Sequence, residues 1–164
     1  MDDLFQSAQA AAEAAGCAVR CDNSTDDWPV RDAAEHLLAQ LENLRAAHPG
    51  RRVALVADGE VSSPVTGGGT GGRNAAFVLA CVEKLAGRNA AVLSAGTDGI
   101  DGNSPAAGAV ADGHTLARAS AAGLDPQDAF RRSDSGTFFA QLGDALVTGP
   151  TGNNLRDLRI LVAE

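Results

Sequence analysis

RRVALVADG, Arg51–Gly59, sets five successive apolar residues between two arginines and an Asp-Gly turn. A short, unbroken apolar run that ends in glycine is the pattern of a strand buried on both faces, as in the sheet of an α/β protein. The flanking segments fit that sheet. Upstream, Ala34, Leu37, Leu38, Leu41 and Leu44 recur at helical spacing from Arg31 to about His48, where HPG ends the segment. Downstream, RNAAFVLACVEKLAG buries Phe77, Leu79, Ala80, Val82 and Leu85 on a helix closed by Gly87, and AAVLSAG is the next strand. Residues 3–15 read as a helix closed by Gly16, followed by a short strand CAVRC. Val61–Val65 reads as another strand, which Pro64 restricts to an edge. HTLARASAAG is helical up to Gly123, Asp125 with Pro126 begins a further helix, another runs through Phe138 and Phe139, and LRDLRILVAE closes the chain as a strand after DALVTG. Strands alternating with helices predict a three-layer α/β/α sandwich, and connections too short for a crossover make its sheet mixed. No repeat or linker divides the chain, so residues 1–164 form one domain.

Composition narrows the function. A formal charge of −8 disfavours nucleic acid and anionic membrane as partners, because both reward clustered Lys and Arg. No apolar run approaches the roughly 20 residues of a membrane span, and the acidic start MDDLFQSAQA is unlike a secretory signal. Cys17, Cys21 and Cys81 leave at least one thiol unpaired, which suits a reducing, cytoplasmic setting. A small molecule or a metal is the better-matched ligand.

TGGGTGGRN, Thr66–Asn74, precedes the helix that starts near Arg73. Gly67, Gly69 and Gly72 satisfy G-x-G-x-x-G, yet the strand before them carries Pro64, and no acidic residue stands where a dinucleotide ribose needs one. A Walker A loop fails for want of Gly-Lys-Ser/Thr. What remains is a loop whose backbone N–H groups, at Gly67, Gly69, Gly71 and Gly72, can meet an anion at a helix N-terminus, with Arg73 and Asn74 beside it. The plainer alternative is a flexible connection.

LSAGTDGIDGNSPAAGA, Leu93–Ala109, places Asp98 and Asp101 at the carboxyl end of a buried strand, where open α/β sheets bind ligands. The two carboxylates can converge on Mg²⁺, or each can cap its own turn beside glycine. Spacing supports both. TGPTGNN, Thr148–Asn154, is a second loop of small polar groups.

Taken together, GGRN before a helix, SAGTDGIDG, AAGAV followed by Asp112 and Gly113, LGDALVTGPTGNN and DLRILV resemble the MOFRL domain, the C-terminal half of glycerate kinases that phosphorylate the 2-hydroxyl. The resemblance runs from about Arg52 to the C-terminus. It implies phosphoryl transfer from ATP to D-glycerate with Mg²⁺, in a cleft between two α/β domains, and it explains why such chains also carry the name hydroxypyruvate reductase. Carried onto this sequence, it makes Arg73 and Asp98 catalytic and places Asn74, Asp101, Thr151 and Asn154 at the cleft, with Thr148 in the same loop. Asp98 and Asp101 are then the metal candidates.

The departures are specific. Ala75 and Ala76 stand where the family has Gln and Glu, and Asp58 replaces the first glycine of its GGE, with Glu60 kept. The family's larger N-terminal domain, with its active-site lysine, has no counterpart here, and Lys84 lies mid-helix. The resemblance therefore implies a glycerate 2-kinase half that needs a separate N-terminal domain or partner subunit. The alternatives are a noncatalytic anion- or nucleotide-binding module and an NAD(P)-dependent hydroxypyruvate reductase.

Overall fold

The computed structural model describes residues 3–164. In chain order the elements are α1 (Asp3–Ala14), β1 (Ala18–Asp22), α2 (Val30–Ala47), β2 (Val53–Asp58), α3 (Arg73–Leu85) and β3 (Ala90–Gly96). They continue with β4 (Gly108–Asp112), α4 (Thr115–Ala121), α5 (Pro126–Arg131), α6 (Ser135–Leu142), β5 (Ala145–Leu146) and β6 (Asp157–Ala163). The six strands form one sheet in the order β1-β2-β6-β3-β4-β5. Only β1 and β2 pair in parallel; every other ladder is antiparallel. The closing strand β6 takes a central place, with Leu161 opposite Leu55 of β2 on one side and Val92 of β3 on the other.

The apolar run of β2 is buried on both faces, Val53 to Ala57 being wholly inaccessible. Side-chain contacts of β1 identify the two covers. Arg20 reaches Gln40 and Asp22 reaches His36, both on α2, whereas the intervening Cys21 contacts Gln9 of α1. Helices α1 and α2 thus lie on opposite faces, which makes the fold the expected three-layer α/β/α sandwich with a mixed sheet. The layers are unequal. Helix α3 packs beside α2 and over β3 and β4, with α5 and α6 against α3. This side holds the main core, where Leu37, Phe77, Leu85, Phe139 and Leu161 are fully buried, each contributing roughly 1.5–3 kcal/mol of burial.

Local signals explain the ends of the elements. Asp125 caps α5 by accepting the Gln127 N–H at 2.9 Å, with Pro126 at the first helical position. Val61–Val65 is not a strand: it makes one isolated bridge, Ser62 to Pro29, because the prolines at 29 and 64 deny the ladder its donors. The DALVTG strand shortens to Ala145–Leu146. Strand β4 went unread in sequence because Gly108, Ala109 and Ala111 lack the branched side chains that mark strands. No helix among the described residues is long and apolar enough to cross a membrane.

The thiols differ in a measurable way. Cys81 on α3 is fully buried and desolvation pushes it up to about 12, whereas Cys21 is exposed on β1. Iodoacetamide added to the folded chain should label Cys21 and spare Cys81, read by peptide mass spectrometry. Equal labelling of both would contradict the packing of α3.

Candidate active site

The antiparallel ladders bring the carboxyl ends of β2, β3 and β5 and the start of β6 to one edge of the sheet. The glycine loop, the acidic turn and the Val147–Arg156 loop all lie there, and between them opens a cleft of about 620 Å³. Gly69, Gly71, Gly72, Arg73, Asn74, Asp98, Asp101 and Asn154 line it, together with Glu60 and Asp157; Gly67, Thr148 and Thr151 are not in its wall.

The backbone donors of the glycine loop are largely spent inside the chain, which changes the expected anion cradle. Gly67 N–H donates to Ser133 Oγ at 3.3 Å, Gly69 N–H to the Arg132 carbonyl at 3.0 Å, Thr70 N–H to Asp134 at 2.9 Å and Gly71 N–H to Asn103 at 2.8 Å. The N-terminus of α3 has its own anion as well. Asp101, 2% exposed, accepts the Asn74 N–H at 2.9 Å through Oδ1 and the Ala75 N–H at 2.8 Å through Oδ2. The carboxylate sits where the helix dipole and the first free amides favour it. Burial pushes the Asp101 carboxyl above its ordinary range, against the pull of those two amides. Asn74 is equally committed, its Oδ1 accepting from Ser94 Oγ at 2.7 Å. Gly72 is required beside them, because a Cβ there would collide with Asp101 Oδ1 and the Asp101–Gly102 peptide. Asp101 and Asn74, read from sequence as a cation ligand and a substrate contact, line the cleft and through these bonds also join α3, β3 and the acidic turn.

Asp98 and Arg73 remain turned to the cleft. Asp98 is half-buried, and its Oδ1 accepts the Ile100 N–H at 3.1 Å, so the self-capping turn exists as well. The turn is braced from the next loop. Thr151 donates its N–H to the Asp98 carbonyl at 3.0 Å and its hydroxyl to the Thr97 carbonyl at 2.6 Å. Gly99 turns there with φ +86°, and a Cβ would strike the Gly149 carbonyl. Thr148 bonds the adjacent Gly149 carbonyl at 2.9 Å and Asn154 accepts the Arg156 N–H at 3.3 Å, so these loop side chains support their own turn.

Arg73, the first residue of α3, donates Nε to Asp157 Oδ2 at 2.5 Å and Nη2 to Asp157 Oδ1 at 3.2 Å, and Nη2 lies 3.0 Å from Glu60 Oε1. These partners push its pKa further up, the Asp157 hydrogen bond most. The side chain is still 37% exposed at the cleft. A guanidinium held by paired hydrogen bonds is a fixed cation able to receive carboxylate or phosphoryl oxygens. Sequence reasoning passed over Asp157. Its signal was the alternation of DLRILVA, in which Asp157 and Arg159 share one face with Leu161; that face is the buried one.

A model described as MOFRL family matches residues 53–157. Among relatives, the D-glycerate 2-kinase of Thermotoga maritima is 43% identical over 108 residues, covering 65% of this chain and 26% of that protein. An Agrobacterium vitis protein carrying a hydroxypyruvate reductase name is 42% identical over 111 residues, 66% of this chain and 29% of its own. The crystal structure of a Thermotoga maritima glycerate kinase superposes with a TM-score of 0.91 at 32% identity, over 98% of this chain and 40% of that one. The chain thus spans under a third of the length of these two relatives. With the family model matching residues 53–157 and the fold shared with a glycerate kinase at a TM-score of 0.91, the chain belongs to the MOFRL family.

Proposed function

We propose that this chain supplies one wall of a glycerate 2-kinase active site, in which the γ-phosphoryl of ATP is transferred to the 2-hydroxyl of D-glycerate to give 2-phosphoglycerate and ADP. The observation that carries the reading is the presence of Arg73 and Asp98 in one cleft at the carboxyl edge of the sheet, where Asn74, Asp101 and Asn103 hydrogen-bond within the chain. Arg73 stabilises the charge of the transferring phosphoryl group, and Asp98 either orients the acceptor hydroxyl and takes its proton or holds the metal. Mg²⁺ would neutralise phosphate charge. No group of three or more His, Cys, Asp or Glu among the described residues is arranged for a metal, which fits a cation held by one carboxylate, Asp98, with nucleotide oxygens and water.

A partner domain or subunit completes the site. The large apolar residues exposed among those described, Trp28, Val65, Ile100, Val147 and Leu155, all sit on loops, and Val65 and Ile100 line the cleft. Such a rim marks a surface that another protein covers. A chain that binds without turnover is the second reading, supported by Ala75 and Ala76, which stand where the family has Gln and Glu beside Arg73. An NAD(P)-dependent reductase finds less support, because the loop matching the dinucleotide pattern spends its donors internally.

Calorimetry of the chain alone separates the phosphoryl-binding readings from the reductase. Binding of Mg·ATP or 2-phosphoglycerate, lost in R73A and absent for NADPH, is expected. NADPH binding with no response to ATP or 2-phosphoglycerate would overturn the kinase assignment.

A further inference from the structure

Arg73 meets two carboxylates that are not equivalent. Asp157 opens β6, is paired in the sheet with Gly96, has a side chain only 4% exposed, and holds the guanidinium through both oxygens. Glu60 follows β2 on a loop and touches Nη2 at 3.0 Å with a side chain 41% exposed. Behind Asp157 lies a second arginine. Arg159 is wholly buried, its Nη2 stands 3.8 Å from Asp157 Oδ2, and both its Nη atoms donate to the Gly59 carbonyl at 3.0–3.1 Å. Its guanidinium carbon lies 5.1 Å from the Phe77 ring centroid. Asp157 is thereby fixed by the sheet through its backbone and by a buried cation from the rear.

An arginine side chain loses rotamer freedom when it is immobilised on a ligand, and a carboxylate that grips it beforehand removes most of that loss. Of the two carboxylates, only Glu60 can leave without strain, because it moves into water, whereas displacing Asp157 would strand a buried charge. We propose that Asp157 is the positioning residue that holds Arg73 ready for a phosphoryl or carboxylate anion, and that Glu60 is the resident carboxylate which the incoming anion displaces. The proposal rests on the reading of Arg73 as the anion contact.

Electrostatics alone makes the opposite prediction for Asp157, since removing a negative charge beside Arg73 strengthens its pull on an anion. The test is calorimetry of the full chain with inorganic tripolyphosphate, comparing wild type, E60Q, D157N and R73A. E60Q should tighten binding by about 2–5-fold, because an exposed ion-pair competitor is gone. D157N should weaken it by about 10-fold or more, because the charge-assisted fork that orients Arg73 is lost. If R73A loses binding while D157N and E60Q both tighten it, the positioning role falls and the anion-contact reading stands. If R73A binds as wild type does, Arg73 is not the anion contact. A measurement on the wild type alone guards against a D157N chain that fails to fold. On addition of tripolyphosphate the Arg73 Nε–Hε NMR resonance should keep its shift and slow exchange while the Glu60 carboxyl carbon moves. Loss of the Nε–Hε signal with Glu60 unmoved would overturn the assignment.

Discussion

Asp98→Asn, assayed with an N-terminal kinase domain supplied, is expected to lower glycerate phosphorylation by about 10²–10⁴-fold, the range for loss of a general base or an electrostatic contact to the reacting groups. Asn keeps the acceptor that receives the Ile100 N–H, so the turn survives the substitution. The melting temperature should therefore stay within about 2 °C of wild type, since that difference corresponds to under about 1 kcal/mol for a domain of this size. The pair of readouts matters. A variant that lost activity together with stability would point to a turn-capping role for Asp98, whereas loss of activity alone identifies a group that touches the reactants. A direct measure of phosphoryl transfer, production of 2-phosphoglycerate, distinguishes this from weakened glycerate binding when glycerate is saturating.

Asp101→Ala should have the opposite profile. It strands the Asn74 and Ala75 amides and frees Asn74 Nδ2 at a site that water cannot easily reach. Loss of two charge-assisted bonds at a helix start costs about 3 kcal/mol, and a chain of this size then melts roughly 6–12 °C lower, in metal-free buffer as much as with Mg²⁺. Thermal melting followed by circular dichroism checks it. If D101A instead melted like wild type without metal and lost only Mg²⁺-dependent stabilisation, Asp101 would be a cation ligand and the capping account would be wrong.

The legible part of the fold followed from apolar patterning. The unbroken run of β2, the helical spacing of α2 and α3 and the Asp125–Pro126 start of α5 each express one local preference, and tertiary packing agrees with them. Strand β4 was hidden because its Gly and Ala residues are chosen for close approach: a Cβ on Gly108 would collide with the Ser94 carbonyl. In the site, the glycines and the aspartate turn were visible as residue types, but their division of labour was not. Whether an aspartate beside glycine faces a ligand or a helix depends on which backbone amides the fold brings to it, and Asp98 and Asp101, three residues apart, received opposite surroundings. Asp157 and Arg159 were harder still. In an alternating strand, charges on one face and Leu158, Ile160 and Val162 on the other read as a solvated face over a core. Here the charges are buried under α3 and the aliphatic face is half-exposed, an inversion that only the Arg73–Asp157–Arg159 contacts explain.

The proposed function makes this chain one wall of a phosphoryl-transfer site. The measurement that addresses it is an assay of 2-phosphoglycerate from ATP, Mg²⁺ and D-glycerate, made on the chain alone and again with a folded N-terminal domain of a glycerate 2-kinase. No turnover by either component, turnover by the mixture, and its loss when the chain carries R73A or D98N are expected. Turnover that is absent from the mixture although the two components form a stable complex, or turnover that persists in both variants, would contradict the proposed function.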